Sequence, residues 1–357
     1  MLQDELSIFK DKTVLVTGHT GFKGSWLTLW LLELGAKVVG YARNPVTEKD
    51  LFVVSGIGKE IIDIRGDIRN KSQLAKVFDK YQPEFVFHLA AQPLVKYSYD
   101  HPGETYEVNV MGTLNVLECL KNCDSCKVGV FVTSDKCYEN KEWTWGYREN
   151  DPMGGYDPYS SSKGCCELLI SSYERSFFNT SQLAAHGKVI ASVRAGNVIG
   201  GGDWSPDRLI PDCIRSLEKG SPIEIRSPHA VRPWQHVLEP LSGYLLLAAK
   251  LWSQKTAFSG GWNFGPERES IVSVETITES LLACWGSGER KCIKISNPAH
   301  EANFLSLDIS KAINLLGWVP KWDYQEAIEK TVDWYKQYKT ANMREYSIMQ
   351  IQEYYNY

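Results

Sequence analysis

The chain has 357 residues, of which 43% are hydrophobic and 23% are charged, and its formal net charge at pH 7 is −4. This composition is typical of a soluble globular protein, and the acidic balance excludes a general attraction to nucleic acid or to an anionic membrane surface. No apolar run reaches the roughly 18 residues of a membrane span, and the opening residues MLQDELSIFKDK lack the apolar stretch of a signal peptide. We therefore expect a cytoplasmic protein without nucleic-acid or membrane partners.

The first half of the chain alternates predicted strands and helices. Apolar runs predict buried parallel strands over residues 13–17, 37–41, 61–65, 85–89, 128–133 and 189–194. Helices are predicted over residues 25–34, 71–81, 104–122 and from 157 toward 178. This alternation predicts an α/β fold with a doubly wound Rossmann-type parallel sheet, in which ligands bind at the carboxyl ends of the strands.

After residue 195 the predicted elements become shorter and less regular. Helices are predicted over residues 211–219, 238–252, 274–285, 310–316 and 324–338, and strands over 223–226 and 291–295. We predict three parts of the chain. Residues 1–195 form a nucleotide-binding domain to which some later segments return, residues 196–340 form mainly a smaller, mixed α/β substrate-binding lobe, and the tyrosine-rich tail 341–357 docks on the body or on a partner subunit.

A glycine-rich turn, GHTGFKG at residues 18–24, joins the first predicted strand to the first long helix. Gly18 permits a tight turn, Gly21 lets the backbone approach a pyrophosphate, and Gly24 lets the helix pack closely on the strand. The helix N-terminus adds free amide groups and a positive dipole. The sequence therefore predicts a dinucleotide site, with contacts from Gly18, Thr20, Gly21, Phe22, Lys23 and Gly24.

The end of the second predicted strand does not identify the dinucleotide. An acidic residue there would bind both ribose hydroxyls of NAD, but the sequence has Tyr41-Ala42-Arg43-Asn44. Arg43 favours a 2′-phosphate, so NADP stays open beside NAD. Asp67 and Ile68 follow the third predicted strand and are placed to contact an adenine.

Tyr159 and Lys163 lie four residues apart on a predicted helix, and therefore on one face of it. A lysine ammonium beside a phenol lowers the phenol pKa. A phenolate beside a nicotinamide takes the proton of a substrate hydroxyl. The same spacing also fits a half-buried tyrosine with a solvated lysine, so the rest of the sequence has to decide between the two interpretations.

The nine cysteines predict reduced thiols, because the count is odd and no secretion signal is present. Cys119, Cys123 and Cys126 have a spacing that is also used to hold iron–sulfur clusters. They fall across the polar end of a predicted helix and the following loop, without any other sign of a cluster. We therefore expect no metal site.

Taken together, the glycine-rich turn, Ser134 at the end of the fifth predicted strand, and Tyr159 with Lys163 resemble the extended short-chain dehydrogenase/reductase family. The resemblance covers nearly the whole chain and narrows to nucleotide-sugar 4,6-dehydratases, which carry a Thr/Ser-Asp-Glu trio after the fifth strand. This sequence has Ser134-Asp135-Lys136, so a lysine replaces the usual glutamate. The resemblance implies NAD as cofactor, a nucleotide sugar as substrate, and a homodimer or homotetramer.

The resemblance also implies further site residues. It makes Ser134, Asp135, Lys136, Tyr159 and Lys163 catalytic. It adds Ala90, Gln92 and Asn109 to the cofactor site. Arginines in the second half are expected to bind the substrate diphosphate through bidentate contacts. Arg194 and Arg208 are predicted for this role from their place in the chain. The resemblance implies Asn197, Arg232, His300 and Glu301 as substrate residues, whereas His236 is expected to be structural.

The reaction implied by the resemblance has three steps: oxidation of the sugar at C4, elimination of water across C5 and C6, and return of the hydride to C6. Elimination needs a base, assigned to Lys136, and an acid, assigned to Asp135. Burial would favour a neutral Lys136 and a protonated Asp135. Side by side, however, the two groups favour their charged forms, so we assign the elimination to the pair as a unit.

Two alternatives remain at this stage. A nucleotide-sugar 4-epimerase or a simple reductase of the same fold would keep Tyr159 and Lys163 but would not need the Asp135–Lys136 pair. A non-catalytic nucleotide sensor would have no reason to keep Ser134, Tyr159 and Lys163 together. Loss of water from the sugar separates the dehydratase from both alternatives.

Overall fold

The structure is a computed structural model that describes residues 2–293 and 304–357. Its centre is a seven-stranded parallel sheet in the order β10-β6-β5-β4-β1-β2-β3. The doubly wound parallel sheet predicted from the sequence is therefore confirmed. The strands are β1 Thr13–Thr17, β2 Lys37–Ala42, β3 Ile62–Arg65, β4 Phe85–His88, β5 Val128–Val132, β6 Val189–Ala195, β7 Asn197–Ile199, β8 Ile223–Ile225, β9 Val231–His236, β10 Gly260–Phe264, β11 Ile271–Ser273 and β12 Arg290–Cys292.

Helices cover both faces of the sheet and build the second lobe. They are α1 Leu2–Leu6, α2 Phe22–Glu33, α3 Leu51–Val54, α4 Lys71–Tyr81, α5 Val95–Asp100, α6 Pro102–Tyr106, α7 Gly112–Asn122, α8 Pro158–Ser176, α9 Leu183–His186, α10 Leu209–Glu218, α11 Leu238–Gln254, α12 Val274–Trp285, α13 Tyr324–Gln337 and α14 Met343–Asn356. Single 3₁₀ turns cover Ser7–Phe9, Ile57–Lys59, Asp135–Cys137, Thr180–Gln182, Lys255–Phe258 and Arg268–Ser270, and π-helical turns cover Glu107–Met111 and Ala312–Leu316.

The strands of the central sheet are apolar because helices cover them on both sides. One core cluster packs α2, α11 and α14 against the sheet, with Trp26, Trp30 and Trp262 fully buried. A second cluster packs α4, α7 and α8 against the opposite face. These two layers fix the carboxyl edge of the sheet as the place where a site can form.

The observed bounds differ from the predicted ones in identifiable ways. The first long helix begins at Phe22 rather than at residue 25, because the backbone of Gly21 already serves as its N-cap. The helix predicted over 104–122 begins at Pro102 and passes through a π-helical turn at Glu107–Met111 before it continues as α7. The strand predicted over 291–295 is shorter, and its last two positions lie outside the described residues.

The second half of the chain contributes both to the sheet and to a separate lobe. Strand β10 lies parallel to β6 at the edge of the central sheet. A three-stranded sheet in the order β11-β9-β7 and a two-stranded sheet of β8 and β12 lie outside it. Within residues 2–293 and 304–357, no helix combines the length and the apolar character needed to cross a membrane.

The tyrosine-rich tail docks on the body of its own chain. In α14 the Tyr354 hydroxyl donates to the buried Glu239 carboxylate at 2.8 Å. The Trp30 indole donates to the Tyr355 hydroxyl. Glu239 also accepts hydrogen bonds from the backbone of Lys321 and Trp322. The tail is therefore joined to α2 and α11 by both ring packing and hydrogen bonds.

Candidate active site

The glycine-rich turn forms a cradle that leaves no room for side chains. Gly18 has φ +76°, and a Cβ added there would lie 2.7 Å from the backbone nitrogen of Ala90. A Cβ added at Gly24 would lie 2.1 Å from the Gly18 carbonyl oxygen. Gly21 caps α2 without any side-chain hydrogen bond, so the first amides of the helix face the cleft. This arrangement fits a dinucleotide pyrophosphate.

The ribose end of this groove is basic rather than acidic. Arg43 follows β2 with 71% of its side chain exposed, and its carbonyl oxygen accepts hydrogen bonds from Thr20 and Arg65. The nearby carboxylate of Asp67 is engaged by Arg69 at 2.7 Å. Arg43, Asp67 and Ile68 all line the cleft, as the sequence predicted, and the end of β2 carries no acidic side chain.

Ala90 and Gln92 line the cleft after β4, but Asn109 does not. The Asn109 amide donates to the Gln92 carbonyl at 3.1 Å and to the Ser162 hydroxyl at 2.8 Å. Its oxygen accepts from the Gln92 backbone at 2.8 Å. Asn109 therefore fixes the loop after β4 against α8, rather than facing the cleft itself as a cofactor contact would.

Ser134, Asp135 and Lys136 follow β5 at the carboxyl edge of the sheet. The Ser134 hydroxyl caps the short turn that follows by accepting a hydrogen bond from the Lys136 backbone at 3.2 Å, and it donates to Asp135 Oδ1 at 3.0 Å. Lys136 Nζ lies 3.6 Å from Asp135 Oδ1. The trio therefore forms one connected unit that lines the cleft.

Asp135 and Lys136 differ in exposure. Asp135 is 1% exposed. The Lys136 side chain is 34% exposed, so the burial expected for it from the sequence is only partial. Lys136 lies 3.6 Å from Asp135 Oδ1 and so places a counter-ion beside the buried carboxylate.

Helix α8 begins where it does because Asp157 caps it and Pro158 occupies its first turn. The Asp157 carboxylate accepts from the backbone of Ser160 at 2.9 Å and from its hydroxyl at 2.6 Å. This start places Tyr159 and Lys163 on the face that lines the cleft, beside the trio. Both side chains are buried, at 8% and 5% exposure.

The structure does not show Lys163 lowering the pKa of Tyr159. Burial raises the pKa of Tyr159 to about 12, and a hydrogen bond with Ser134 opposes that rise. Burial also lowers the pKa of Lys163, whose ammonium donates to the Val132 carbonyl oxygen at 3.3 Å. Desolvation is therefore the largest effect on this pKa, and Arg208 is the cation that opposes it.

The structure contradicts a substrate-binding role for Arg194. Its side chain is 4% exposed and forms a bidentate pair with Glu167, with Nε at 2.9 Å and Nη2 at 2.7 Å from the carboxylate. Its remaining nitrogen donates to the Tyr138 hydroxyl and to the Glu149 carbonyl oxygen. Arg194 lies in β6 beneath the cleft, where it joins the sheet to α8.

The other predicted substrate residues that the structure describes do line the cleft. Arg208 lies 2.8 Å from Asp203, and Arg232 is 8% exposed and donates to the Val231 carbonyl oxygen. Asn197 lies at the start of β7. His300 and Glu301 lie outside the described residues. His236, expected to be structural, is fully buried between the rings of Trp26 and Trp322.

The cleft has a volume of about 2820 Å³, which is several times that of a typical small-ligand pocket (roughly 300–1,000 Å³). It therefore has room for a dinucleotide and a nucleotide sugar together. Several charged groups at this end of the cleft were not predicted from the sequence, because the helix, short strands and loops that carry them contain no motif. These groups are Arg215, Lys219, Glu224, Arg226 and Lys291.

Comparison with known proteins agrees with this geometry. The family model described as GDP-mannose 4,6 dehydratase matches residues 15–331. A CDP-glucose 4,6-dehydratase of Salmonella typhimurium is 52% identical over 330 residues, which cover 92% of each chain. The chain therefore belongs to the GDP-mannose 4,6-dehydratase family of extended short-chain dehydrogenases/reductases.

Solved structures show the same fold. The dTDP-glucose 4,6-dehydratase of Bacillus anthracis in complex with NAD has a TM-score of 0.76 at 22% identity, covering 93% of this chain and 98% of that one. The UDP-glucose 4-epimerase of Thermus thermophilus in complex with NAD has a TM-score of 0.77 at 25% identity, covering 91% and 99%. The shared architecture thus extends across dehydratases and epimerases.

Proposed function

We propose that this member of the GDP-mannose 4,6-dehydratase family converts CDP-glucose to CDP-4-keto-6-deoxyglucose and water. The observation that carries the proposal is the 52% identity over 92% of the chain to a CDP-glucose 4,6-dehydratase. The Ser134-Asp135-Lys136 trio facing Tyr159 in one cleft supports it, because a dehydratase needs an acid–base pair in addition to an oxidation site.

We propose NAD as the cofactor, since structures of the same fold contain it and the glycine cradle fits a pyrophosphate. When bound, NAD would accept the hydride from C4 and later return it to C6. The exposed Arg43 keeps NADP as an alternative, because an arginine at that position favours a 2′-phosphate. Parallel titrations with both dinucleotides decide between them.

The residues around C4 take the first proton. The Tyr159 phenolate accepts the proton of the C4 hydroxyl, and Ser134 donates a hydrogen bond to the C4 oxygen. Lys163, buried on the same face of α8, holds the nicotinamide ribose and supplies positive charge beside the phenolate once the site is filled. These roles need only the side chains that the cleft brings together.

The residues around C5 and C6 carry out the elimination. A ketone at C4 acidifies the C5 proton, which the Lys136 amine removes. The C6–oxygen bond breaks as the Asp135 carboxyl group gives its proton to the departing hydroxyl, so water leaves. Lys136 then returns a proton to C5 as C6 is reduced.

The diphosphate and the oligomer complete the proposal. Arg208 and Arg232 are the cations we assign to the diphosphate, because arginine offers bidentate contacts to phosphate oxygens.

We also expect a homodimer or homotetramer. The exposed Met111 and Leu168, at 50% and 63% exposure, belong to the helical layer that an apolar partner surface would cover. A cytoplasmic location is part of the same proposal.

The test is turnover of CDP-, dTDP-, UDP- and GDP-glucose with NAD or NADP, read as formation of a 4-keto chromophore in base. We expect the CDP sugar to be preferred and Tyr159→Phe to lose C4 oxidation. Formation of a C4 epimer without loss of water would assign the chain to the epimerases instead. Unchanged turnover by Tyr159→Phe would contradict the proposal as a whole.

A further inference from the structure

Two buried polar groups near the predicted acid have no hydrogen-bond partner in the described part of the chain. They are Asp135 Oδ2 and Tyr244 Oη. Tyr244 lies in α11, is fully buried, and has Asp135 and Tyr159 as its electrostatic neighbours. An unsatisfied hydroxyl and an unsatisfied carboxylate oxygen each cost about 1–3 kcal/mol when buried, so two such groups near each other call for a reason.

A third group, Lys23, points to the same place. Its side chain leaves the glycine-rich turn and lies with Nζ 5.8 Å from the centroid of the Tyr244 ring. It is half-buried on the floor of the cleft, and the charged groups that face it are Arg208, Asp135 and Lys163. Burial and the two neighbouring cations lower its pKa to about 7. The position therefore suits a group that gains and loses a proton.

Asp135 packs closely against Gly196 in the β6–β7 turn. A Cβ added at Gly196 would lie 3.1 Å from Asp135 Oδ2 and 2.8 Å from Pro233 Cγ. This side of the carboxylate is therefore closed by packing, and it gives Oδ2 no hydrogen-bond donor. Of the nearby groups, the Tyr244 hydroxyl and the Lys23 ammonium are the donors that a bridging water would connect to Oδ2.

The proton balance of the proposed reaction, on which this inference rests, supplies the reason. Tyr159 gains the proton of the C4 hydroxyl in each cycle. Asp135 loses one proton to the departing water, whereas Lys136 takes the C5 proton and gives one back to C5. The product carries no extra proton, so each cycle leaves one proton too many on Tyr159 and one too few on Asp135. The enzyme therefore has to transfer one proton from Tyr159 back to Asp135 before the next cycle.

We propose that Lys23 and Tyr244 are positioning residues for Asp135 that hold its carboxyl group in place and return its proton after each turnover. Tyr244 has both the group that gains the proton and the group that loses it as electrostatic neighbours. Lys23 supplies the positive charge that stabilises the carboxylate until the proton arrives. The backbone amides of the same turn remain available for the cofactor pyrophosphate.

The test uses Lys23→Met and Tyr244→Phe with two substrates, CDP-glucose and its 6-deoxy-6-fluoro analogue. Fluoride is a far weaker base than hydroxide, so its departure needs much less help from an acid. We expect each variant to lose water from CDP-glucose at least tenfold more slowly than wild type, with reduced nicotinamide accumulating near 340 nm (general acids contribute roughly 10²–10⁴-fold). Fluoride release from the analogue should stay within about threefold of wild type.

Several outcomes decide the matter. Equal slowing of both substrates would show a general structural defect, and wild-type rates for CDP-glucose would show that neither group serves Asp135; either result overturns the inference. Loss of cofactor binding by Lys23→Met would assign the ammonium to the cofactor and overturn it as well. Tyr338→Phe, which removes a hydroxyl bonded to Glu218 at 2.6 Å outside the cleft, is the matched control. Failure of the wild-type enzyme to dehydrate CDP-glucose would instead refute the proposed function.

Discussion

Glu167→Gln is the substitution whose effect on stability the structure defines most sharply. The Glu167 carboxylate is 4% exposed and accepts hydrogen bonds from Thr133, from Ser192 at 2.7 Å and from two nitrogens of Arg194. Glutamine keeps the size of the side chain but removes the charge and turns an amide toward these donors. Arg194 is then left as a buried cation without its counter-ion.

Breaking a buried pair in this way costs about 3–5 kcal/mol in free energy of unfolding. With a urea slope of about 3 kcal/mol/M, the unfolding midpoint should fall by roughly 1–1.7 M. The assay is urea denaturation followed by tryptophan fluorescence at pH 7. The matched control is Glu174→Gln, two turns further along α8 and partly exposed, for which we expect less than about 0.5 kcal/mol.

The pH dependence carries a definite sign. Burial raises the pKa of Glu167, but the Arg194 charge and the hydrogen bonds outweigh burial and leave it below its ordinary value of 4.5. A lowered pKa in the folded state stabilises the fold above the unfolded-state value, and this contribution disappears as the pH falls through the folded-state value. The difference between wild type and Glu167→Gln should therefore be constant above pH 5 and shrink in acid (roughly below 4.5).

Activity should fall together with stability, because Glu167 lies one turn beyond Lys163 and bonds Thr133, which precedes Ser134. The double variant Glu167→Met/Arg194→Met removes both charges and should recover more than half of the lost stability. A cost below about 1 kcal/mol for Glu167→Gln would mean that the buried pair does not hold the two catalytic elements together.

Three further predictions concern the cradle, the elimination and the helix start. Lys136→Ala should leave C4 oxidation measurable and reduce exchange of the C5 hydrogen with solvent by at least about 100-fold, and normal exchange would remove Lys136 as the base. Gly24→Ala would place a Cβ 2.1 Å from the Gly18 oxygen. The affinity for NAD, measured by fluorescence titration, should therefore fall at least tenfold (roughly 1.4 kcal/mol). The control Gly103→Ala, with open space around the added Cβ, should bind NAD normally. Asp157→Ala removes the cap of α8 and should cost about 1 kcal/mol by thermal unfolding; an unchanged melting temperature would contradict the capping role.

The parts of the fold that follow from local sequence were predictable. Buried parallel strands appear as continuous apolar runs, and the glycine spacing of residues 18–24 predicts a tight turn that leads into a helix. The spacing of Tyr159 and Lys163 requires a common helix face. Because the carboxyl ends of parallel strands share one edge, Ser134 and the turn were also expected to meet.

The errors arose where long-range pairing decides the outcome. Arg194 was predicted to bind the diphosphate because arginine offers bidentate contacts to phosphate, but its partner Glu167 lies 27 residues earlier and nothing local indicates the pair. The pKa of Tyr159 depends on how deeply the phenol is buried, which its sequence neighbours do not report. Tyr244 was missed for the same reason, since it reaches the site from a helix without a motif.

The forms of Asp135 and Lys136 that elimination requires are not the charged forms that an ion pair favours. Elimination needs a neutral lysine and a protonated aspartate, yet the two groups lie 3.6 Å apart and attract each other as ions. One proton passed from Lys136 to Asp135 creates both reactive forms at once, without any exchange with solvent. Substrate that fills the cleft displaces water from the exposed ammonium, and desolvation disfavours the two charges more than the neutral pair. We therefore expect substrate binding itself to prepare the acid and the base together.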